Sequence, residues 1–220
     1  MDLFESMKVG ILGSGEVGQT LGIGFARRGH DVTIGSRTPN SEPLKEWARK
    51  AGPSAKTGTF AEAAKAELVV LSCLGSAVDE VVALAGPKAF DGKVVIDTTN
   101  PLVFENGSPP GLFVGLTDSL GERVQKQLPK AQVVKCFNTV PSSLMVNPKA
   151  LGPRPEMLIC GNDSKAKSRV TAILKEFGWF GAIDVGGIDG ARWLEAMVPL
   201  WVRVSNAVGT WNQCFQVARA

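Results

Sequence analysis

The chain has 220 residues, 44% hydrophobic and 20% charged, with 24 basic and 21 acidic side chains for a net charge of +3. That balance supports a full core, excludes a disordered chain, and is too mild to mark a nucleic-acid partner. Tyrosine is absent and His30 is the single histidine, which excludes a tyrosine proton donor and any two-histidine metal site, so no metal ligands are assigned. Cys73, Cys136, Cys160 and Cys214 have no close spacing and read as free thiols of a reducing compartment. The start carries Asp2 and Glu5 where a leader would be basic and then apolar. No uncharged apolar stretch reaches the roughly 18 residues a bilayer span needs. A cytoplasmic protein without a membrane partner is expected.

In chain order, the first apolar run covers residues 8–12 and is followed by Gly13-Ser14-Gly15-Glu16-Val17-Gly18, which opens a helical pattern over 16–28. In that strand–turn–helix setting the first glycine allows a tight turn and the second admits a pyrophosphate against the backbone. The third lets helix pack on strand, and the helix N-terminus supplies free N–H groups. A second strand, 31–35, ends at Gly35 and runs into Ser36-Arg37-Thr38. Folds that bind NAD place an acid near this point, about 20 residues after the glycines, for the ribose 2′-hydroxyl. Here a guanidinium and two hydroxyls stand instead, which suits a 2′-phosphate and favours NADP(H) over NAD(H).

Helices are expected at 42–50, 60–65, 76–84 and 120–128, and strands at 68–73, 94–97 and 133–137. Thr59 with Glu62, and Ser119 with Glu122, have capping-box spacing. Residues 101–118 break the rhythm with three prolines, three glycines and no periodicity, and read as a long loop. A strand–helix–strand unit at 156–160, 165–177 and 179–184 follows. The whole predicts an α/β fold of Rossmann type, doubly wound on a mostly parallel sheet. Residues 1–150 form the dinucleotide-binding domain. Residues 151–220 add a short α/β extension and a terminal helix packed on the same domain. Met197, Trp201, Val204, Val208, Trp211 and Phe215 are spaced as an a/d stripe on one helix face, with Pro199 kinking that helix or marking its first turn. The stripe could cover its own domain or pair with a second copy, and a homodimer is the expectation.

Ligands of an open parallel sheet bind at the carboxyl ends of its strands. The loops there carry Leu74, Gly75 and Ser76; Thr98, Thr99, Asn100 and Pro101; and Asn138, Thr139 and Ser142. His30 precedes its strand and falls on the opposite edge. The favoured edge offers amides and hydroxyls without a general acid or base, so no catalytic side chain is assigned, and Asn138 and Thr139 are candidates for orienting an acceptor. Hydride transfer to a flavin-like ring needs alignment of two rings, whereas a carbonyl wants a positioned acid.

MKVGILGSGEVG, GHDVTIGSR, VIDTTNPL, VKCFNTVPSSLM, LICGNDSKAK and GARWLEAMVPLW together resemble the coenzyme F420-dependent NADP oxidoreductases over most of residues 7–202. The resemblance implies that Ser36 and Arg37 bind the 2′-phosphate and that Gly13–Val17 bind the pyrophosphate. It implies that Leu74, Gly75, Asn100 and Asn138 surround the nicotinamide, and that hydride passes directly between NADPH and the deazaflavin F420 or a flavin. The cytoplasmic domain of six-transmembrane metalloreductases is also similar, but this chain lacks their membrane helices. The alternatives are reduction of a small imine or carbonyl substrate, and a non-catalytic module that senses NADP(H).

Overall fold

In the computed structural model, residues 5–105 and 107–219 are described, so Asp2 of the leader reading and Asn106 of the 101–118 loop lie outside them. The strands are β1 (Lys8–Leu12), β2 (Asp31–Gly35), β3 (Ala55–Gly58), β4 (Leu68–Leu71) and β5 (Val94–Asp97), then β6 (Leu102–Val103), β7 (Gly111–Leu112), β8 (Gln132–Lys135), β9 (Glu156–Gly161) and β10 (Gly181–Asp184). Eight of them form one sheet in the order β10-β9-β8-β5-β4-β1-β2-β3. From β3 to β8 every pair is parallel, which reproduces the doubly wound Rossmann order. β9 joins β8 antiparallel and carries β10 parallel to itself, so the last two strands run against the rest.

Runs such as Leu68-Val69-Val70-Leu71 have no polar alternation because both faces of the sheet are covered. Val9, Ile11, Leu68, Val70, Val94 and Ile96 enter one core, with α1 (Glu16–Ala26), α2 (Glu42–Ala51), α6 (Ser142–Met145) and α7 (Ser164–Phe177). Leu12, Val69, Leu71, Val95 and Val133 enter the other, with α3 (Phe60–Ala63), α4 (Val78–Ala85) and α5 (Leu120–Gln127). Strand periodicity of two therefore builds a three-layer sandwich from one sheet. A small third cluster of Cys160, Ala191 and Leu194 seats α8 (Ala191–Val208) on β9.

The structure departs from expectation at four places. β3 was missed: Ala-Lys-Thr-Gly is too short and polar to show as a strand, and it forms only because β2 offers it an open edge. The 101–118 segment is not all loop, since β6 and β7 pair as a small antiparallel ribbon. The capping box at Thr59 and Glu62 is complete. At Ser119 the hydroxyl accepts the Glu122 N–H, but Glu122 turns to Arg192 at 2.6 Å and Asp118 takes the Ser119 N–H. The aromatic stripe is not one helix: Gly209, left-handed at φ 71°, ends α8 at Val208 and leaves Trp211 and Phe215 outside it. Trp211 instead folds back onto Trp201, ring centroids 5.4 Å apart. Pro199 lies within α8, neither ending it nor starting it.

Phe25 has no exposure and sits edge-on to Phe177 at 4.9 Å. Phe25→Ala leaves a cavity under α1 and is expected to cost about 3–5 kcal/mol in urea unfolding. A loss under about 1 kcal/mol would show that this core collapses freely.

Candidate functional site

The strand order reverses at β1, and the loops leaving β1 and β4 part to either side. A cleft of about 930 Å³ opens there, at the carboxyl edge. Gly13 has φ 132°, and a Cβ on it would lie 2.6 Å from the Ser72 backbone. A Cβ on Gly18 would strike the Gly13 carbonyl, whereas one on Gly15 would meet nothing. So the outer two glycines serve the close packing of turn, helix and strand, and the middle one faces open space. Gly15 also caps α1 without a side-chain hydrogen bond, leaving the first N–H groups of the helix to the cleft.

At the tip of β2, Ser36 is buried, 3.2 Å from the Ser14 hydroxyl, and its Oγ accepts the Thr38 N–H at 3.1 Å. This ties the two loops to each other. Arg37 projects into the cleft, its side chain 70% exposed and its Nη1 3.6 Å from Glu80 Oε1. Across the cleft stand Leu74, Gly75 and Ser76, and beside them Thr98, Thr99 and Asn100. Gly75 packs on the Asn100 carbonyl.

The structure brings Gly13, Ser14, Gly15, Glu16, Val17, Ser36, Arg37, Thr38, Leu74, Gly75, Ser76 and Asn100 to one cleft. It does not bring Gly18, Pro101, Asn138 or Thr139 to the lining. Gly18 is spent on packing. Asn138 is buried, and its amide donates to the Leu194 carbonyl at 2.6 Å while its own carbonyl accepts from Asn100 Nδ2 at 3.3 Å. Phe137 just before it has φ 63°, a strained conformation for an aromatic residue, which turns the chain here. The side-chain oxygens Oδ1 of Asn100 and Asn138 are both buried without a partner. Unpaired amide oxygens are costly, and a ligand amide or hydroxyl at this end of the cleft would satisfy that of Asn100, the one of the two that lines it.

Sequence reasoning missed Phe60, Ser72, Glu80 and Phe104 as lining residues. Glu80 was readable in retrospect, since it falls in the first turn of the helix after β4, on the favoured edge. Phe104 sits in the ribbon segment read as loop. His30 lies apart from the cleft: its Nδ1 accepts the Met7 N–H, so Nε2–H donates to Glu176 at 3.0 Å.

Behind the loop 98–100, Lys135 is buried with its Nζ 3.0 Å from Asp97, 2.7 Å from Glu195 and 2.5 Å from the Thr99 carbonyl. Burial pulls its pKa down, but the two carboxylates outweigh that and leave the ammonium above its ordinary value. Asp97 also accepts from the Thr99 N–H and hydroxyl. Glu195 accepts the Leu120 and Gly121 N–H groups that begin α5. Cys73 faces the cleft as a thiol, pushed up to about 12 by burial and by the nearby Asp97 charge. It offers neither a nucleophile nor a useful acid near neutral pH.

The family model "NADP oxidoreductase coenzyme F420-dependent" matches residues 8–101. The crystal structure from Arthrobacter sp. FB24 assigned as an F420-dependent NADP-reductase is 40% identical, covers 97% of this chain and 100% of its own, and superposes with a TM-score of 0.92. The F420-dependent NADP reductase of Methanocaldococcus jannaschii is 29% identical over 89% of this chain and 91% of its own. The rat metalloreductase STEAP3 is 31% identical over 90% of this chain, which spans 38% of that relative's length. An imine reductase from Aspergillus terreus, 20% identical with a TM-score of 0.64 over 94% of this chain and 64% of its own, shares the fold.

Replacing Lys135 by Met leaves two carboxylates buried without their cation. The expected loss is about 3–5 kcal/mol of unfolding free energy, read from chemical denaturation. Stability within about 1 kcal/mol of the parent would mean that the three side chains are not a charged unit.

Proposed function

The chain belongs to the coenzyme F420-dependent NADP oxidoreductase family and is an NADP-dependent oxidoreductase, and we propose that its hydride acceptor is a flat ring system, the 5-deazaflavin F420 or a flavin. The observation that carries this is the make-up of the cleft. Its described carboxylates are Glu16, in the glycine loop, and Glu80, beside Arg37. At the other end stand Leu74 and Phe104, 74% and 66% exposed, with the amides of Asn100 and Asn138 behind them. Apolar surface with amides suits a planar ring, and it supplies no acid for an alkoxide.

When bound, NADPH supplies a hydride, two electrons with one proton. In this reading Gly13–Val17 and the start of α1 hold the pyrophosphate by backbone N–H groups and the helix dipole. Ser36, Arg37 and Thr38 hold the 2′-phosphate, Arg37 as the charged fork and Ser36 fixed against Ser14. Leu74, Gly75, Ser76 and Asn100 bound the nicotinamide, and Asn138 positions Asn100 through its carbonyl. Pro101 stiffens that loop and Thr139 extends the Asn138 turn. Leu74 and Phe104 exclude water from one side of the reacting rings, which raises the fraction of encounters in reactive alignment. Four free cysteines support a reducing compartment as the place of action.

Stopped-flow oxidation of NADPH against F420, FMN, FAD and a panel of imines and carbonyls tests the acceptor. Rapid turnover with a ring acceptor alone is expected, and turnover only with an imine or carbonyl refutes the proposal. Arg37→Ala should weaken NADPH binding roughly 10- to 100-fold while leaving NADH within about twofold, as loss of one charge-assisted contact dictates. Equal losses for both nucleotides would remove Arg37 from the phosphate site.

A further inference from the structure

Arg37 already has a partner. Its Nη1 lies 3.6 Å from Oε1 of Glu80, which stands in the first turn of α4 on the opposite wall of the cleft. The side chains are 70% and 52% exposed, and an ion pair in that setting adds little to the stability of a fold. Its neighbours do not demand it either. Ser14 and Thr38 engage Ser36, not Arg37. The other carboxylate of the cleft, Glu16, is occupied by the Ser142 hydroxyl at 2.5 Å. Among the described residues, the one acid paired with the guanidinium is thus placed where an anion is to be bound.

We infer that Glu80 is a specificity-determining residue, an internal anion that occupies Arg37 until the 2′-phosphate displaces it. The inference rests on the reading of Arg37 as the phosphate ligand. A phosphate monoester brings up to two negative charges and three acceptor oxygens, against a single carboxylate contact at 3.6 Å. The exchange therefore runs toward phosphate, but the displaced carboxylate is a standing competitor. A ribose 2′-hydroxyl is neutral and has nothing to exchange for a guanidinium–carboxylate pair. So Glu80 lowers affinity for NADP(H) and leaves NAD(H) alone, setting how large the preference between them is. It also keeps the guanidinium extended across the cleft, so that the arriving phosphate meets a charge already in place.

The test is fluorescence titration of the full chain with NADPH and NADH, in the parent, Glu80→Gln, Arg37→Gln and the double variant. Glu80→Gln should bind NADPH about two- to fivefold more tightly, the range expected from removing one exposed ion pair, with NADH unchanged. In the Arg37→Gln background the same substitution should do nothing. No tightening in Glu80→Gln overturns the inference, as does equal tightening of NADH. Tightening that persists without Arg37 overturns it too, since Glu80 would then act on the phosphate directly. Failure of the underlying reading looks different: NADPH and NADH would bind the parent alike, and Arg37→Gln would weaken neither.

Discussion

Lys135 ends β8 with its ammonium out of water, shared between Asp97 at the end of β5, Glu195 of α8 and the Thr99 carbonyl. A buried cation of this kind is tolerable only while every partner stays in place. That demand joins four elements distant in sequence. β5 and β8 are held in register, α8 is pinned to the sheet, and α5 begins where Glu195 accepts its first N–H groups. Loop 98–100 is clamped from both ends, by Asp97 at the Thr99 N–H and by Lys135 at its carbonyl. Asn100 and its unpaired oxygen are the outward end of this network.

The two ends of the cleft thus use different physics. The end proposed to hold the phosphates is built of backbone: glycines that permit close packing, and a helix start left without a side-chain cap. The charges there, Arg37 and Glu80, are exposed, where water and salt keep interactions weak and exchangeable. The end proposed to face the acceptor is backed by buried charges and amides. A rigid wall beside an adjustable one suits a reaction in which the rings must align closely but the cofactor must also leave.

How legible this was in the sequence differs by kind of signal. Glycine spacing after an apolar run, and the residues following the second strand, are local signals, and they picked out residues that line one end of the cleft. Strands buried on both faces declare themselves by unbroken Val, Ile and Leu. β3 does not, because an edge strand is made by its neighbour's free hydrogen bonds, not by its own side chains. Asn138 was placed on the right edge yet turned inward to Leu194, a partner 56 residues away that no spacing rule reveals. The partners of Lys135 were not legible, since its two carboxylates come from β5 and α8. The stripe from Met197 to Phe215 misled because a seven-residue pattern continues through Gly209 on paper, while the backbone turns left-handed there and ends the helix.

What favours the proposed ring acceptor is where charge is kept. Each carboxylate of the described cleft is committed to a partner, Glu16 to Ser142 and Glu80 to Arg37. The remaining strong charges are sealed beneath the lining, and the Cys73 thiol holds its proton. Among the described residues, the cleft thus places no side chain specifically as a proton donor. What it offers is shape: exposed Leu74 and Phe104, and an amide wall fixed by a buried lysine. Chemistry that moves a hydride between two rings needs only that, because the charge it develops is delocalised within the rings themselves and calls for no side chain to neutralise it.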